Sequence, residues 1–105
     1  IANMASERSN LFPELPTMQE SGFKGFDVYT WLGLYAPAGT PASVVTMLNK
    51  EISTIMNSPE MVERLRLQYS EPLGVMDVAR TRKFVEAEVN KWKRVVQETG
   101  VKSDD

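Results

Sequence analysis

Cysteine and histidine are both absent from the 105 residues, and these two absences exclude more chemistry than any feature present. Thiolate nucleophiles, disulfides, Cys/His zinc sites and Ser-His-Asp machinery all require side chains this chain lacks. The six glycines form neither a G-x-G-x-x-G turn nor a phosphate-cradling loop that ends in Gly-Lys-Ser/Thr. No calcium loop with alternating Asp/Asn around a central glycine is present either, so neither metal nor cofactor is expected. No apolar run reaches the roughly 18–20 residues that cross a bilayer. Excess positive charge is missing too: 12 Lys+Arg stand against 14 Asp+Glu, a formal net charge of -2. Nucleic acid demands clustered cations, so it is not an expected partner. A self-contained enzyme is not expected.

What remains is ordinary globular composition, 42% hydrophobic and 25% charged, in a length that fits one modest core. The chain starts at Ile1 rather than at a methionine, and the expectation is a piece of something longer. Its first 24 residues read as irregular, punctuated by Pro13 and Pro16, which bias the preceding residues away from helix. Within them Thr17-Met18-Gln19-Glu20-Ser21-Gly22 has the grammar of one helical turn. Thr17 caps it, Glu20 answers three residues on, and Gly22 ends it.

Residues 26–36, Phe-Asp-Val-Tyr-Thr-Trp-Leu-Gly-Leu-Tyr-Ala, are rich in aromatic and β-branched types and read as a strand. Their nearly continuous apolar character predicts burial on both faces. Thr40 then reads as an N-cap with Pro41 at the first helical position, followed by an apolar stripe of Val44, Val45, Leu48, Ile52, Ile55 and Met56. Ser58-Pro59 repeats that grammar and predicts a shorter helix to about Gln68, with Val62 and Leu65 in contact with the core. Residues 69–74 read as a connection or short strand. Asp77 caps a long helix that runs to Thr99, where Gly100 supplies a left-handed stop. Its stripe is Val78, Thr81, Val85, Glu88/Val89, Trp92 and Val95/Val96. The tail from Lys102 to Asp105 is polar and expected to fray.

Among candidate sites the aromatic strand stands first. Spacing by two puts Tyr29, Trp31, Gly33 and Tyr35 on one face, where polar tips and a bare glycine suit a ligand. The same pattern also describes core aromatics, with Gly33 making room for a packed helix. The cations at 80, 82, 83, 91, 93 and 94 are interrupted by Glu86, Glu88 and Glu98 and read as a solvated helix face. Six methionines are scattered and read as gap-fillers.

Three stretches carry a resemblance: Leu15-Pro16-Thr17-x-x-Glu20-x-Gly22, then Trp31-x-Gly33-Leu34-Tyr35-Ala36-Pro37-Ala38-Gly39-Thr40-Pro41, then Asn90-Lys91-Trp92 leading to Gly100-Val101. In this order and spacing they resemble the C-terminal third of the Bug-type, TctC-like substrate-binding proteins of tripartite tricarboxylate transporters. The resemblance implies an α/β fold, a C-terminal piece of a two-lobe type II periplasmic binding protein. Strand, two helices, short strand and long C-terminal helix would follow in that order. Residues 1–25 would belong to the second lobe and linker, 26–36 to the strand crossing at the hinge, and 37–105 to the first lobe.

The resemblance further implies export to the periplasm, capture of a small carboxylate solute, and its delivery to membrane permease subunits. Family members hold such ligands with backbone N–H groups, small hydroxyls and waters, which suit carboxylates without a fixed cation. Where they often carry Val-Thr-Ser, this chain has Asn3-Met4-Ala5, so Ser6 is the hydroxyl left to stand in. Ser6, Tyr29, Thr30 and Trp31 are thus the expected ligand-binding residues at the cleft or hinge. A competing expectation is an interaction module: a strand with no sheet neighbours of its own invites self-association between copies.

Overall fold

The computed structural model describes residues 1–102. Three helices follow an irregular N-terminal region: α1, Ala42–Met56; α2, Pro59–Arg66; and α3, Val78–Thr99. The helix α1 packs against both of the others. The polar tail at 103–105 lies outside the described residues.

Each helix begins where the sequence grammar places it, to within a residue. The Ser58 hydroxyl accepts from the Met61 N–H at 3.3 Å, with Pro59 first in α2. The Asp77 carboxylate accepts from the Arg80 N–H at 2.7 Å, and Gly100 closes α3 at φ 66°. At α1 the expected Thr40 cap is corrected by one residue. Pro41 occupies the N-cap and no side chain caps the helix. The Thr40 hydroxyl instead donates to the Pro37 carbonyl at 2.8 Å. Its N–H donates to the same oxygen at 3.2 Å, closing a turn whose third residue, Gly39, sits at φ +85°. That is a type II turn, which needs a positive φ at that position.

The helix α2 stops at Arg66 rather than near Gln68, because Tyr69 turns left-handed at φ 54°. The Ser70 N–H reaches back to the Leu65 carbonyl and the Tyr69 N–H to the Arg66 carbonyl, a Schellman pattern built without glycine. Of its expected core contacts Leu65 is half-buried and Val62 exposed.

The two expected strands do not form a sheet among the described residues; the only pairing is one parallel bridge, Asn3 with Thr17. A strand is stabilised by ladder partners, and the backbone–backbone bond that joins residues 26–36 to a distant segment is the Val28 N–H on the Met4 carbonyl, at 2.9 Å. The expected two-sided burial fails for the same reason: Leu32 is 95% exposed and Leu34 80%. Residues 69–74 form a connection, the first of the two alternatives expected there, and not the short strand. The Asn49 amide holds its continuation by donating to the Met76 carbonyl at 2.9 Å.

No hydrophobic side chain is fully buried among the described residues; the two buried residues are Thr17 (3% exposed) and Glu88 (8%). The accessible surface is 8818 Å², about half as much again as the roughly 5,900 Å² of a compact monomer of this mass. The radius of gyration, 16.5 Å, exceeds the ~13 Å of a compact chain of this length.

Candidate functional site

The N-terminal segment is folded back on itself by one helical turn. The Thr17 N–H donates to the Glu20 carboxylate at 2.7 Å, and the Glu20 N–H donates to the Thr17 hydroxyl at 3.1 Å, a reciprocal capping box. Arg8 then grips the same carboxylate with two nitrogens, Nε to Oε2 and Nη2 to Oε1, both at 3.0 Å. Its third contact, Nη1 to the Pro13 carbonyl at 3.0 Å, spans the loop between them. The Arg8 hydrogen bonds, joined by the Thr17 N–H, hold the Glu20 carboxyl down at about 2.

This fold-back lays residues 3–6 beside residues 26–28. Ser6 is exposed, and its N–H donates to the Asp27 carboxylate at 2.8 Å. Asp27 in turn touches α3: its carbonyl accepts from Lys91 Nζ at 2.8 Å. Lys91 also pairs with Glu88, one turn back on the helix. The other Glu88 oxygen accepts from the Trp31 indole N–H at 3.2 Å. Ser6, Asp27, Lys91, Glu88 and Trp31 are therefore one connected network.

Burial pushes the Glu88 carboxyl up, but the hydrogen bonds from Lys91 and Trp31 outweigh it and leave the group below the ordinary carboxylate range. Tyr29 stands half-buried nearby, its phenol pushed up by burial and then by the Asp27 and Glu88 charges.

The structure places the four expected ligand residues around this network. Trp31 is half-buried. One edge meets the Phe84 ring, with centroids 5.2 Å apart and planes at 75°, while the indole lines a shallow depression with Glu88, Val89, Trp92 and Val96. Trp31 is thus partly packed and partly at the surface. Thr30 is exposed between Tyr29 and Trp31, and Tyr35 is exposed as well. A Cβ on Gly33 would stand 3.2 Å from the Tyr35 ring, so the glycine accommodates that aromatic rather than a helix.

Sequence reasoning missed Asp27 and Lys91 and read Glu88 only as a stripe position shared with Val89. The available signal was that stripe itself, where a carboxylate at core register wants a cation one turn away. No group of three or more carboxylates able to hold a metal occurs among the described residues.

Comparison with known proteins bears on the whole of this arrangement. The family model described as tripartite tricarboxylate transporter family receptor, TctC, matches residues 1–101. Protein BugT of Bordetella pertussis is 35% identical over 102 residues, which is 97% of this chain and 31% of BugT. The UPF0065 protein in the tcbD-tcbE intergenic region of a Pseudomonas species is 37% identical over 94 residues, 88% of this chain and 27% of that protein. The structure of the periplasmic binding protein BugD superposes with a TM-score of 0.73 at 34% identity, covering 96% of this chain and 34% of BugD. This architecture is accordingly part of a periplasmic binding-protein fold, and the chain spans about a third of the length of the relatives it matches. With the match running from Ile1 to Val101, the chain belongs to the TctC family of tripartite tricarboxylate transporter receptors.

Proposed function

We propose that this chain serves in an extracytoplasmic solute-binding protein of a tripartite tricarboxylate-type transporter. That protein captures a small organic acid in the periplasm and delivers it to membrane permease subunits without chemical turnover. The observation that carries the reading is the family match along 1–101, supported by the superposition on a periplasmic binding protein. The chemistry agrees: a carboxylate is recognised by amides and hydroxyls. Here the hydroxyls of Ser6, Tyr29 and Thr30 are the donors offered to the solute. The Ser6 N–H and the Trp31 indole N–H are engaged by Asp27 and Glu88 and hold those residues in place. In this reading residues 1–25 belong to one lobe, 26–36 cross at the hinge, and 37–105 belong to the other lobe.

Thermal unfolding of the full-length protein against a panel of di- and tricarboxylates and acidic amino acids tests it. A ligand at 100 times its Kd adds about 2.7 kcal/mol, an easily read rise in Tm. Ser6→Ala and Thr30→Val should reduce the rise without lowering the melting point of the free protein. Turnover of the solute, or stabilisation by nucleotides or cations alone, would overturn the proposal.

A second reading is favoured by the surface: among the described residues no hydrophobic side chain is fully buried, and Leu32 and Leu34 stand exposed on a segment outside any sheet. We infer that the 105-residue chain on its own self-associates through residues 26–36 and binds no solute. Sedimentation at micromolar concentration tests this: a dimer or larger species supports it, and a monomer that binds a dicarboxylate sinks it.

A further inference from the structure

Glu88 is the one buried residue of α3 and it is charged, in a helix with several apolar residues left exposed. An aliphatic residue at this position would bury more cheaply, since a buried ion pair rarely repays its desolvation. What the pair supplies instead is direction. Glu88 accepts from Trp31, and Lys91 donates to the Asp27 carbonyl. The segment is therefore gripped at two points four residues apart, from two positions one helical turn apart. One grip would leave the segment free to pivot; two fix its translation and its rotation. Charge-assisted hydrogen bonds make both grips directional, which an apolar contact is not. The Asp27 carboxylate carries the constraint onward, because the Ser6 N–H is bonded to it.

We propose that Glu88 and Lys91 are positioning residues that clamp residues 27–31 onto α3 and, through Asp27, set where Ser6 stands. The purpose of the clamp rests on the solute-binding reading, since the Ser6, Tyr29 and Thr30 hydroxyls are the solute contacts proposed there. The clamp itself can be read without any solute.

The experiment uses the ¹⁵N-labelled chain. It follows the Trp31 indole N–H, assigned with Trp92→Phe, and the Ser6 amide, assigned with Ser6→Ala. Lys91→Met should displace both resonances by several linewidths and leave the amides of α2 in place; Lys91→Arg should restore much of the wild-type pattern. The Trp31 indole resonance should also titrate with Glu88, below the ordinary carboxylate range. Glu88→Gln should abolish that titration. The charged or titratable groups around Glu88 are Lys91 and Lys93 on its own helix and Asp27 and Tyr29 from the segment, so Asp27→Asn is the control that separates the two carboxylates.

If Lys91→Met moves the Trp31 indole but not the Ser6 amide, or moves neither, the proposal is overturned. Solute affinity is the separate arm. In protein that binds a dicarboxylate, Lys91→Met should weaken binding about tenfold, equivalent to about 1.4 kcal/mol. Coupled shifts with unchanged affinity overturn the positioning role. Coupled shifts in a full-length protein that binds no organic acid overturn the solute reading and leave the clamp standing.

Discussion

Glu20 is held by two kinds of donor, and only one was readable in the sequence. The Thr17-x-x-Glu20 spacing announces the reciprocal cap, because both partners lie three residues apart on one turn. Arg8 lies twelve residues away across two prolines, and local grammar does not reach that far. The carboxyl lies at about 2 instead of the ordinary 4.5, so the folded form binds its proton more weakly than the unfolded one. Its contribution to stability is complete above about 4.5 and is lost as pH falls from there toward 2. Following the Glu20 side-chain carboxyl carbon by NMR should give a midpoint near 2 in the wild type. In Arg8→Ala the midpoint should rise, though not fully, because the Thr17 N–H remains. Thr17→Ala removes the hydroxyl that caps the Glu20 N–H and should cost about 1 kcal/mol in denaturant unfolding. Trp31→Phe keeps a ring against Phe84 but takes one donor from the buried Glu88, at a cost of roughly 1–3 kcal/mol.

Helices were legible as elements because caps, prolines and period are all local, and the strand over 26–36 was misread because pairing is not. Aromatic and β-branched content says only that residues 26–36 would suit a sheet; it does not supply the neighbours. The face of α3 was legible to within a fraction of a turn. The half-buried positions are Val78, Thr81, Phe84, Val85, Lys91 and Val95 around a buried Glu88, while Val89, Trp92 and Val96 turn outward. Hydrophobic weight pulled the expected stripe toward 89 and 92. The ion pair pulled the real one toward 88 and 91. Two substitutions probe the local signals directly. Gly39→Ala forces a Cβ into φ +85° and should cost roughly 1–2 kcal/mol, although nothing lies within 4 Å to clash with it. Asp77→Ala should cost about 1 kcal/mol and fray the first turn of α3, read as lost amide protection at Arg80.

At the scale of the whole molecule, surface decides the behaviour. An 8818 Å² surface on a chain whose compact form would expose roughly 5,900 Å² leaves far more than the ~800 Å² per partner that a standard interface buries. The apolar share of that excess includes Leu32, Leu34 and Tyr35 on one unpaired segment and Val44, Leu48 and Ile55 along α1. An isolated chain with such a surface gains stability by covering it, and a second copy is the partner always present at high concentration. Association that favours the folded form makes the melting point depend on concentration. The Tm of the 105-residue chain should therefore climb steadily between micromolar and millimolar protein, followed by circular dichroism at 222 nm. Replacing Leu32 and Leu34 together by lysine should flatten that dependence and lower the Tm at the concentrated end, while the dilute end stays where it was. These side chains touch little in the single chain, so a fall at the dilute end would mean that they stabilise the monomer itself. A Tm independent of concentration in the unmodified chain would mean that three helices and one folded-back segment suffice alone, and the self-association reading would fail with it.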